Sequence, residues 1–283
     1  MPQTKRTWKL VTAVAMVFAL AALVLTGCGS SDNSAAYRSL DDIKNSGTIK
    51  IGVFSDKSPF GYVDENGEYQ GYDIELAKRI GEDMGVEVEF VSTEAANRVE
   101  YLKTGKVDII LANFTVTEER AEQVDFAKAY MNVALGVVSH KDKVVTDLSQ
   151  IGDRPVIVIS GTTAETYLTK NNSELTLEKY DTYAAAKTAF ENNPDAVWAN
   201  DNTEVVAFAA QGGEEYVVGI EQLGDSDTIA PAVTKGNEEL LNWLNEELVA
   251  LGSENFFHAD YKKTLESTYG AAFEETLVVE PTA

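Results

Sequence analysis

The run ANFTVTEER at residues 112–120 combines threonine, acidic residues and one arginine in a pattern that could bind a small anion. Thr117 can cap a helix whose first turn carries Glu118 and Glu119, because acidic side chains suit the positive end of a helix dipole. Arg120 does not suit that turn unless an anion lies nearby. A guanidinium binds a carboxylate through two parallel hydrogen bonds. The run therefore predicts a carboxylate-binding arginine or, more commonly for such a pattern, a structural ion pair.

A second candidate is the run SGTT at residues 160–163, which lies between a predicted strand and a predicted helix. A glycine turn with free backbone N–H groups at a helix N-terminus can bind an anion. Many ordinary helices are capped in the same way, so the pattern alone is weak. The run lacks the lysine of a phosphate-binding loop, and nucleotide binding is not predicted.

Two further positions carry charge where ligand binding and local structure compete. Asp201 could pair with a ligand ammonium, but Asp201 and Glu204 also fit a capping box at the start of the next helix, which the local pattern favours. Arg98 lies near the start of a predicted helix and is equally consistent with a cation in a cleft and with a surface residue.

The elements that must position these residues alternate along the chain. Short β-branched runs are separated by helical periodicities, which indicates βαβ units, an α/β fold and largely parallel sheets. Predicted strands span 48–54, 86–91, 107–112, 155–159, 175–180, 196–199 and 216–220. Predicted helices span 74–84, 97–104, 163–170, 182–192, 202–211 and 237–251.

Two successive α/β blocks followed by helices predict two lobes with a cleft between them. Ligands of open α/β sheets bind beyond the carboxyl ends of the strands. The loops 54–62, 113–120, 160–163 and 200–203 are therefore expected to line the cleft. The segment beyond Gly270 is acidic and rich in small residues, and is expected to be loose or on the surface.

The N-terminal residues predict export. Lys5, Arg6 and Lys9 precede an apolar run at 10–25, which is shorter than the roughly 20 residues of a membrane-spanning helix and is typical of a secretory signal. The run ends in Leu-Thr-Gly-Cys28, which resembles the bacterial lipobox. Because Cys28 is the only cysteine, no internal disulfide is possible. We expect a signal peptide at 1–27, a lipid anchor at Cys28 and an extracytoplasmic protein held at the cell membrane.

The composition limits the possible partners. The chain carries 23 Lys and Arg against 46 Asp and Glu, a formal net charge of −23. Such an acidic surface argues against binding nucleic acid or anionic lipid. Residues 29–36 are Gly, Ser, Asp, Asn and Ala, a composition that cannot form a core and predicts a tether.

Four stretches carry a resemblance to a known family: residues 49–80, 97–130, 159–168 and 201–205, which read IKIGVFSDKSPFGYVDENGEYQGYDIELAKRI, NRVEYLKTGKVDIILANFTVTEERAEQVDFAKAY, ISGTTAETYL and DNTEV. Together they resemble the polar-amino-acid-binding proteins of ABC importers, which have the two-lobed type II periplasmic-binding-protein fold. The longer run from Ile110 to Ser139, with GTTAETYLTKN and ENFFHADYKKTL, is most similar to the cysteine-binding lipoproteins.

The resemblance implies a domain organisation. A tether at 28–37 would lead into lobe 1 at 38–132, followed by lobe 2 at 133–228, a return of the chain to lobe 1 at 229–270, and a tail at 271–283. The lobes would close over the ligand, and the crossings would lie near 130–135 and 223–229.

The resemblance also implies ligand-binding roles in lobe 1. Arg120 would bind the α-carboxylate of an amino acid, and the Thr115 hydroxyl with the Asn113 backbone would bind the carboxylate and the α-ammonium. Arg98 matches a position at which family members with acidic ligands bind the side-chain carboxylate. Lys57 replaces an aromatic residue that covers the ligand in many members.

In lobe 2, Thr162 and Thr163 would donate N–H and hydroxyl hydrogen bonds to the same carboxylate. Asp201 would accept from the α-ammonium, and could do so while capping its helix. Another stacking aromatic of the family aligns near Ala95, so the cleft is expected to be more cationic than usual.

L-Cysteine is the favoured ligand, and glutamate, aspartate or glutamine are the alternatives. The expected partners are ABC permease and ATPase subunits, and the protein is expected to be a monomer without a metal or other cofactor. A dehydratase-like enzyme on the same fold is the alternative of another class. His140 and His258 fall outside the predicted site, so no catalytic residue is predicted.

Overall fold

The computed structural model describes residues 37–282 of the 283-residue chain. The predicted signal peptide at 1–27, the predicted lipid-bearing Cys28 and the predicted tether up to residue 36 lie outside the described residues.

Strands and helices alternate as the sequence predicts. The strands are β1 Thr48–Val53, β2 Asp56–Lys57, β3 Gly61–Val63, β4 Tyr69–Gln70, β5 Glu87–Ser92, β6 Ile109–Ile110, β7 Val124–Phe126, β8 Met131–His140, β9 Val156–Ile159, β10 Leu177–Tyr180, β11 Val197–Asp201, β12 Tyr216–Ile229 and β13 Ala232–Thr234. The helices are α1 Leu40–Ser46, α2 Tyr72–Met84, α3 Arg98–Lys103, α4 Glu118–Ala121, α5 Thr163–Asn171, α6 Tyr183–Asn192, α7 Asn202–Gln211, α8 Glu238–Ser253, α9 Phe256–Asp260, α10 Glu266–Tyr269 and α11 Glu274–Leu277.

The first sheet has the strand order β5-β1-β6-β13-β7. Strands β5, β1 and β6 are parallel, whereas β13 runs antiparallel to both of its neighbours. Helices α2 and α8 contribute apolar stripes to its core, including the predicted Ile74, Ile80, Leu244 and Leu248. We call the part of the molecule built on this sheet the first lobe.

The second sheet has the order β10-β9-β11-β8-β12 and defines the second lobe. Strands β10, β9 and β11 are parallel, and β8 runs antiparallel to β11 and β12. Both sheets are therefore mixed, and each contains three strands that pair in parallel. The sequence predicts the parallel part, because strands joined through helices are parallel, but not the antiparallel additions.

Strands β8 and β12 connect the two sheets. They pair along most of their length, from Tyr216 opposite His140 to Ile229 opposite Met131, with register shifts that accommodate the longer β12. The final strand predicted at 216–220 is therefore too short, because the chain stays extended as far as Ile229. The predicted boundary after residue 132 falls within β8, and the one after residue 228 falls within β12. Both boundaries between the lobes stay predictions.

A small antiparallel sheet, β2-β3-β4, lies beside the first large sheet. Lys57 ends β2, and its backbone pairs with Gly61 of β3. The short hairpin turns the Lys57 side chain into the interior, where it is buried.

Among residues 37–282, no helix has the length and apolar character needed to cross a bilayer.

The segment beyond Gly270, expected to be loose or on the surface, is largely exposed but is not loose. A 3-10 turn and α11 lead to Leu277 and Val278, which are buried in the core of the first lobe. The Val279 N–H donates to the Tyr130 carbonyl, and Val278 forms a β-bridge with Met131. The buried side chains of Leu277 and Val278, together with these backbone contacts, fix the segment at the start of β8.

We expect Leu277→Ala to lower the free energy of unfolding by about 2–3 kcal/mol, because it leaves a cavity where a buried side chain was. Phe273→Ala is the control in the same segment, since Phe273 is 49% exposed and Leu277 only 6%; it should change stability by less than about 0.5 kcal/mol. Urea unfolding measures both. Equal effects of the two substitutions would contradict docking of the segment through Leu277.

Candidate ligand-binding cleft

The loops at the carboxyl ends of the parallel strands in both sheets face each other. One apolar cluster contains Phe54 and Phe114 from the first lobe together with Ile159 and Tyr183 from the second. The two lobes are thus in contact, and the polar groups between them are largely removed from water. Most of these polar groups need partners within the protein, because an unpaired polar group is costly to bury.

Lys57 and Glu204 form an ion pair across the cleft. The distance from Lys57 Nζ to Glu204 Oε1 is 2.6 Å, and both side chains are almost completely buried. The carboxylate of Glu204 also accepts hydrogen bonds from the side-chain amides of Asn113, at 3.2 Å, and Asn200. The Lys57 ammonium lies 4.0 Å from the centre of the Phe54 ring. This geometry satisfies a cation–π contact as well as the ion pair.

Arg98 lies in the cleft and not on the surface, which decides between the two positions that the sequence allowed. Its guanidinium donates to four backbone carbonyls, at 2.9–3.2 Å, those of Ala95, Ala112, Asn113 and Gly161. The first three belong to the first lobe and Gly161 to the second. Burial lowers the pKa of Arg98 well below its usual value, and the nearby Arg120 charge lowers it further.

Arg120 lies at the opening of the cleft. Its guanidinium donates to the Thr115 carbonyl at 2.7 Å and to the Gly161 carbonyl at 3.0 Å, and rests 4.9 Å from the centre of the Phe114 ring. Burial lowers its pKa to about 10, with Asp201 acting in the opposite direction. Thr117 caps α4 by accepting from the Arg120 N–H, as predicted.

Glycine is required at position 161. Its φ of +77° is in the left-handed region, and a Cβ atom there would lie 2.5 Å from the Ala96 Cα atom of the opposite lobe. Without a side chain, the Gly161 carbonyl can approach Arg98 and Arg120 together. The run at 160–163 therefore contributes a carbonyl acceptor to the cleft, which the sequence did not predict.

Asn113 connects the cleft to the start of β8. Its backbone adopts a φ of +43°, an unusual conformation that asparagine tolerates better than most residues. Its N–H donates to Asp73 Oδ2 at 3.0 Å, and Asp73 Oδ1 accepts from the Tyr130 hydroxyl at 2.6 Å. Asp73 is fully buried, which raises the pKa of its carboxyl group to about 6.

The second lobe places Thr162, Thr163 and Asp201 at adjacent helix starts. Thr162 caps α5: its hydroxyl accepts from the Glu165 N–H and donates to the Ile159 carbonyl. The Thr163 hydroxyl donates to Asp201 Oδ1 at 3.4 Å. The Thr162 hydroxyl is therefore engaged by backbone groups of β9 and α5, whereas Thr163 and Asp201 face each other.

Asp201 is surrounded by charges. Burial and the neighbouring Glu204 together raise the pKa of its carboxyl group to about 7, although Lys57, Arg98 and Arg120 act to lower it. The predicted capping box is wrong. Asp201 makes no side-chain capping hydrogen bond to α7, and Glu204 turns away from the helix start towards Lys57.

A cavity of about 400 Å³ adjoins the cleft. Of the eight residues predicted to bind ligand, Arg120 and Thr163 line it, together with Phe114, Tyr167 and Asp227. The other six are Lys57, Arg98, Asn113, Thr115, Thr162 and Asp201, and all are buried behind it. The structure thus brings the eight positions into one region, while their individual roles stay predictions.

Three cleft residues were missed as binding or positioning residues: Glu204, Asp73 and Phe114. Asp73 lies in the first turn of α2, where an acidic residue has an ordinary explanation as a partner of the helix dipole.

No group of three or more potential metal ligands occurs between residues 37 and 282.

A comparison with protein-family models identifies the chain over residues 49–266. The matching model describes the bacterial extracellular solute-binding proteins, family 3.

Sequence and structural similarity to known proteins is consistent with that family. The solute receptor for L-cysteine of Neisseria gonorrhoeae is 48% identical, covering 86% of this chain and 100% of its own, with a TM-score of 0.84. The cysteine-binding protein from Campylobacter jejuni is 46% identical, covering 85% of this chain and 98% of its own, with a TM-score of 0.83. The ABC transporter glutamine-binding protein of Bacillus subtilis is 27% identical over 90% of this chain and 97% of its own. The predicted two-lobed α/β fold is confirmed.

Proposed function

The chain belongs to the bacterial extracellular solute-binding proteins of family 3, which confirms the resemblance seen in the sequence, and from this membership we propose that it delivers L-cysteine to an ABC importer. Proteins of this kind serve amino-acid ABC transporters. The ligand, the roles of individual residues and the membrane anchor are the parts that we infer.

The observation that carries the proposal is that Arg120 and Thr163, from opposite lobes, line one cavity, with Asp201 3.4 Å behind the Thr163 hydroxyl. Two of the five N–H donors of Arg120 are engaged, both by backbone carbonyls, so others can bind a ligand carboxylate. Asp201 can accept from an α-ammonium group. A cation and an acid on opposite lobes match the two charges that every free α-amino acid carries.

The partners of the other two cations favour a ligand with an uncharged side chain. Lys57 is neutralised by Glu204, and Arg98 gives its donors to four backbone carbonyls. Neither Lys57 nor Arg98 is therefore free to pair with an acidic side chain. This supports cysteine over glutamate or aspartate, as does the likeness to the two cysteine-binding structures.

Binding and closure are coupled in this proposal. The ligand carboxylate would lie against Arg120 of the first lobe and the ammonium against Asp201 of the second, so the closed form would bind the ligand better than an open one. Bending of the paired strands β8 and β12 would allow the motion, and the transporter subunits would recognise the closed lobes.

We propose binding without turnover. His140 packs against Phe190 and Tyr216, and His258 pairs with Glu274 near the C-terminal segment. Asp201, whose pKa is raised to about 7, has the proton affinity of a general acid or base, but in this proposal it is used by the ammonium. Bound ligand recovered unchanged after prolonged incubation is the expected result, and product formation would contradict it.

Arg120→Ala should cost about 2–5 kcal/mol of binding free energy, the usual effect of removing one partner of a buried charge pair. Calorimetry with L-cysteine under reductant, on protein from Ser30 refolded without ligand, measures it beside glutamate, aspartate, glutamine and serine. Arg79→Ala is the control, because Arg79 pairs with Asp83 and Glu254 outside the cleft, and it should bind as the wild type does.

Binding of glutamate or aspartate by the wild type, in place of cysteine, would retain the class of function and overturn the ligand. No binding of any amino acid would overturn the proposal.

Cysteine affinity should fall as the pH falls below about 7. The ligand ammonium favours the ionised form of Asp201, so binding must release the proton that this carboxyl group holds at lower pH. The association constant should drop by up to tenfold per pH unit, and calorimetry from about pH 5 to pH 7.5 measures the slope. Asp201→Asn should bind weakly with little pH dependence. A wild-type affinity that does not change over this range would contradict the role of Asp201.

We also propose a lipid anchor at Cys28, supported by the basic and apolar segment before it and by its position as the single cysteine. Stable anchoring requires more than one acyl chain. Cys28→Ser should release the protein from the membrane fraction into the soluble extracytoplasmic fraction, measured by fractionation and immunoblotting. Retention of Cys28→Ser in membranes would refute this anchor.

A further inference from the structure

Lys57 and Glu204 form a buried charge pair that the proposed contacts with the α-carboxylate and α-ammonium do not use. The residues are 3% and 2% exposed, and they come from different lobes. Their charges cancel within 2.6 Å. A pair of this kind gives little net stability, because desolvation offsets the attraction, but losing one partner leaves an unpaired buried charge.

Each member is held in place by other contacts. The Glu204 carboxylate accepts from Asn113 at 3.2 Å and from Asn200. Lys57 lies in the β2–β3 hairpin, with its ammonium over the Phe54 ring. Either charge would therefore keep its position if the other were neutralised by a substitution of similar size.

The pair also lies close to residues that are predicted to bind the ligand. Asn113, whose side chain donates to Glu204, is one of the predicted ligand-binding residues, and Asp201 lies on the same helical turn as Glu204. The charges of Lys57 and Glu204 both act on Asp201. A charged ligand side chain entering this region would meet both members of the pair at short range.

We propose that the Lys57–Glu204 pair is the specificity filter of the cleft: because its charges cancel, it excludes acidic and basic side chains and admits small uncharged ones. The inference rests on the proposed amino-acid-binding function and deepens it. A single free charge at this place would instead favour a ligand side chain of the opposite sign.

The test measures ligand preference in two single variants. Glu204→Gln keeps an acceptor for Asn113 and leaves Lys57 unpaired, so affinity for L-aspartate relative to L-cysteine should rise at least about tenfold. Lys57→Gln leaves Glu204 unpaired, so affinity for L-diaminobutyrate relative to L-cysteine should rise by a similar factor. Calorimetry at pH 7.5 gives the ratios, and thermal unfolding with and without ligand shows that each variant is folded.

The matched control is the pair Lys187 and Glu191 on α6, which has the same residue types at 2.7 Å and is 38% and 36% exposed. Lys187→Gln and Glu191→Gln should leave all ligand ratios unchanged. The double variant Lys57→Gln/Glu204→Gln carries no unpaired charge and should prefer neither charged ligand.

The outcomes separate this inference from the proposed function. If the wild type binds cysteine but neither single variant gains a charged ligand, the filter is refuted and the function stands. If the wild type binds no amino acid, the function fails and the filter with it. If only one of the two single variants folds, the affinity of that variant for its charged ligand relative to L-cysteine decides whether the filter stands. If both single variants fail to fold while the double variant folds, the pair is purely structural and the proposal is overturned.

Discussion

Charges buried between two lobes must be matched, and this constraint organises the whole cleft. Transfer of an ionised side chain out of water is costly unless hydrogen bonds and an opposite charge replace the water. Lys57 is matched by Glu204, and Arg98 by backbone carbonyls from both lobes. Arg120 uses two carbonyls and keeps other donors available. The contacts that match these charges also join the lobes, because the Lys57–Glu204 pair and the bonds to the Gly161 carbonyl link one lobe to the other.

A second consequence of burial concerns Asp73. Its two carboxylate oxygens accept from the Asn113 N–H in the cleft and from the Tyr130 hydroxyl at the start of β8. The residue thereby ties the loop that would contact the ligand to the strand that connects the lobes. Ionisation of Asp73 is opposed by its burial, as its raised pKa indicates. The Asp73 side chain nevertheless accepts a hydrogen bond from each of these two groups. It therefore links the cleft physically to the strands that connect the lobes.

Features that depend on neighbouring residues could be predicted from the sequence, and features that depend on long-range packing could not. The Thr117 cap and the helix Tyr72–Met84 follow from local pattern and periodicity. The family resemblance placed Arg120 in the cleft. The partner of Lys57 could not be predicted, because Glu204 has a sufficient local explanation as a capping residue, and only the approach of the lobes makes the ion pair possible. Leu277 was overlooked for a similar reason: the apolar run from Leu277 to Val279 is too short to show a periodicity that would reveal its burial.

The Lys57–Glu204 contact has an evolutionary consequence. Substituting either residue alone leaves an unpaired charge in the protein interior. Purifying selection would remove such a change in most lineages. Two routes remain open to a descendant lineage. Both positions can change together, or one can change when a new nutrient supplies the missing charge. Divergence at these two distant positions should therefore be correlated, and lineages that have lost one member of the pair should be those that import a different amino acid.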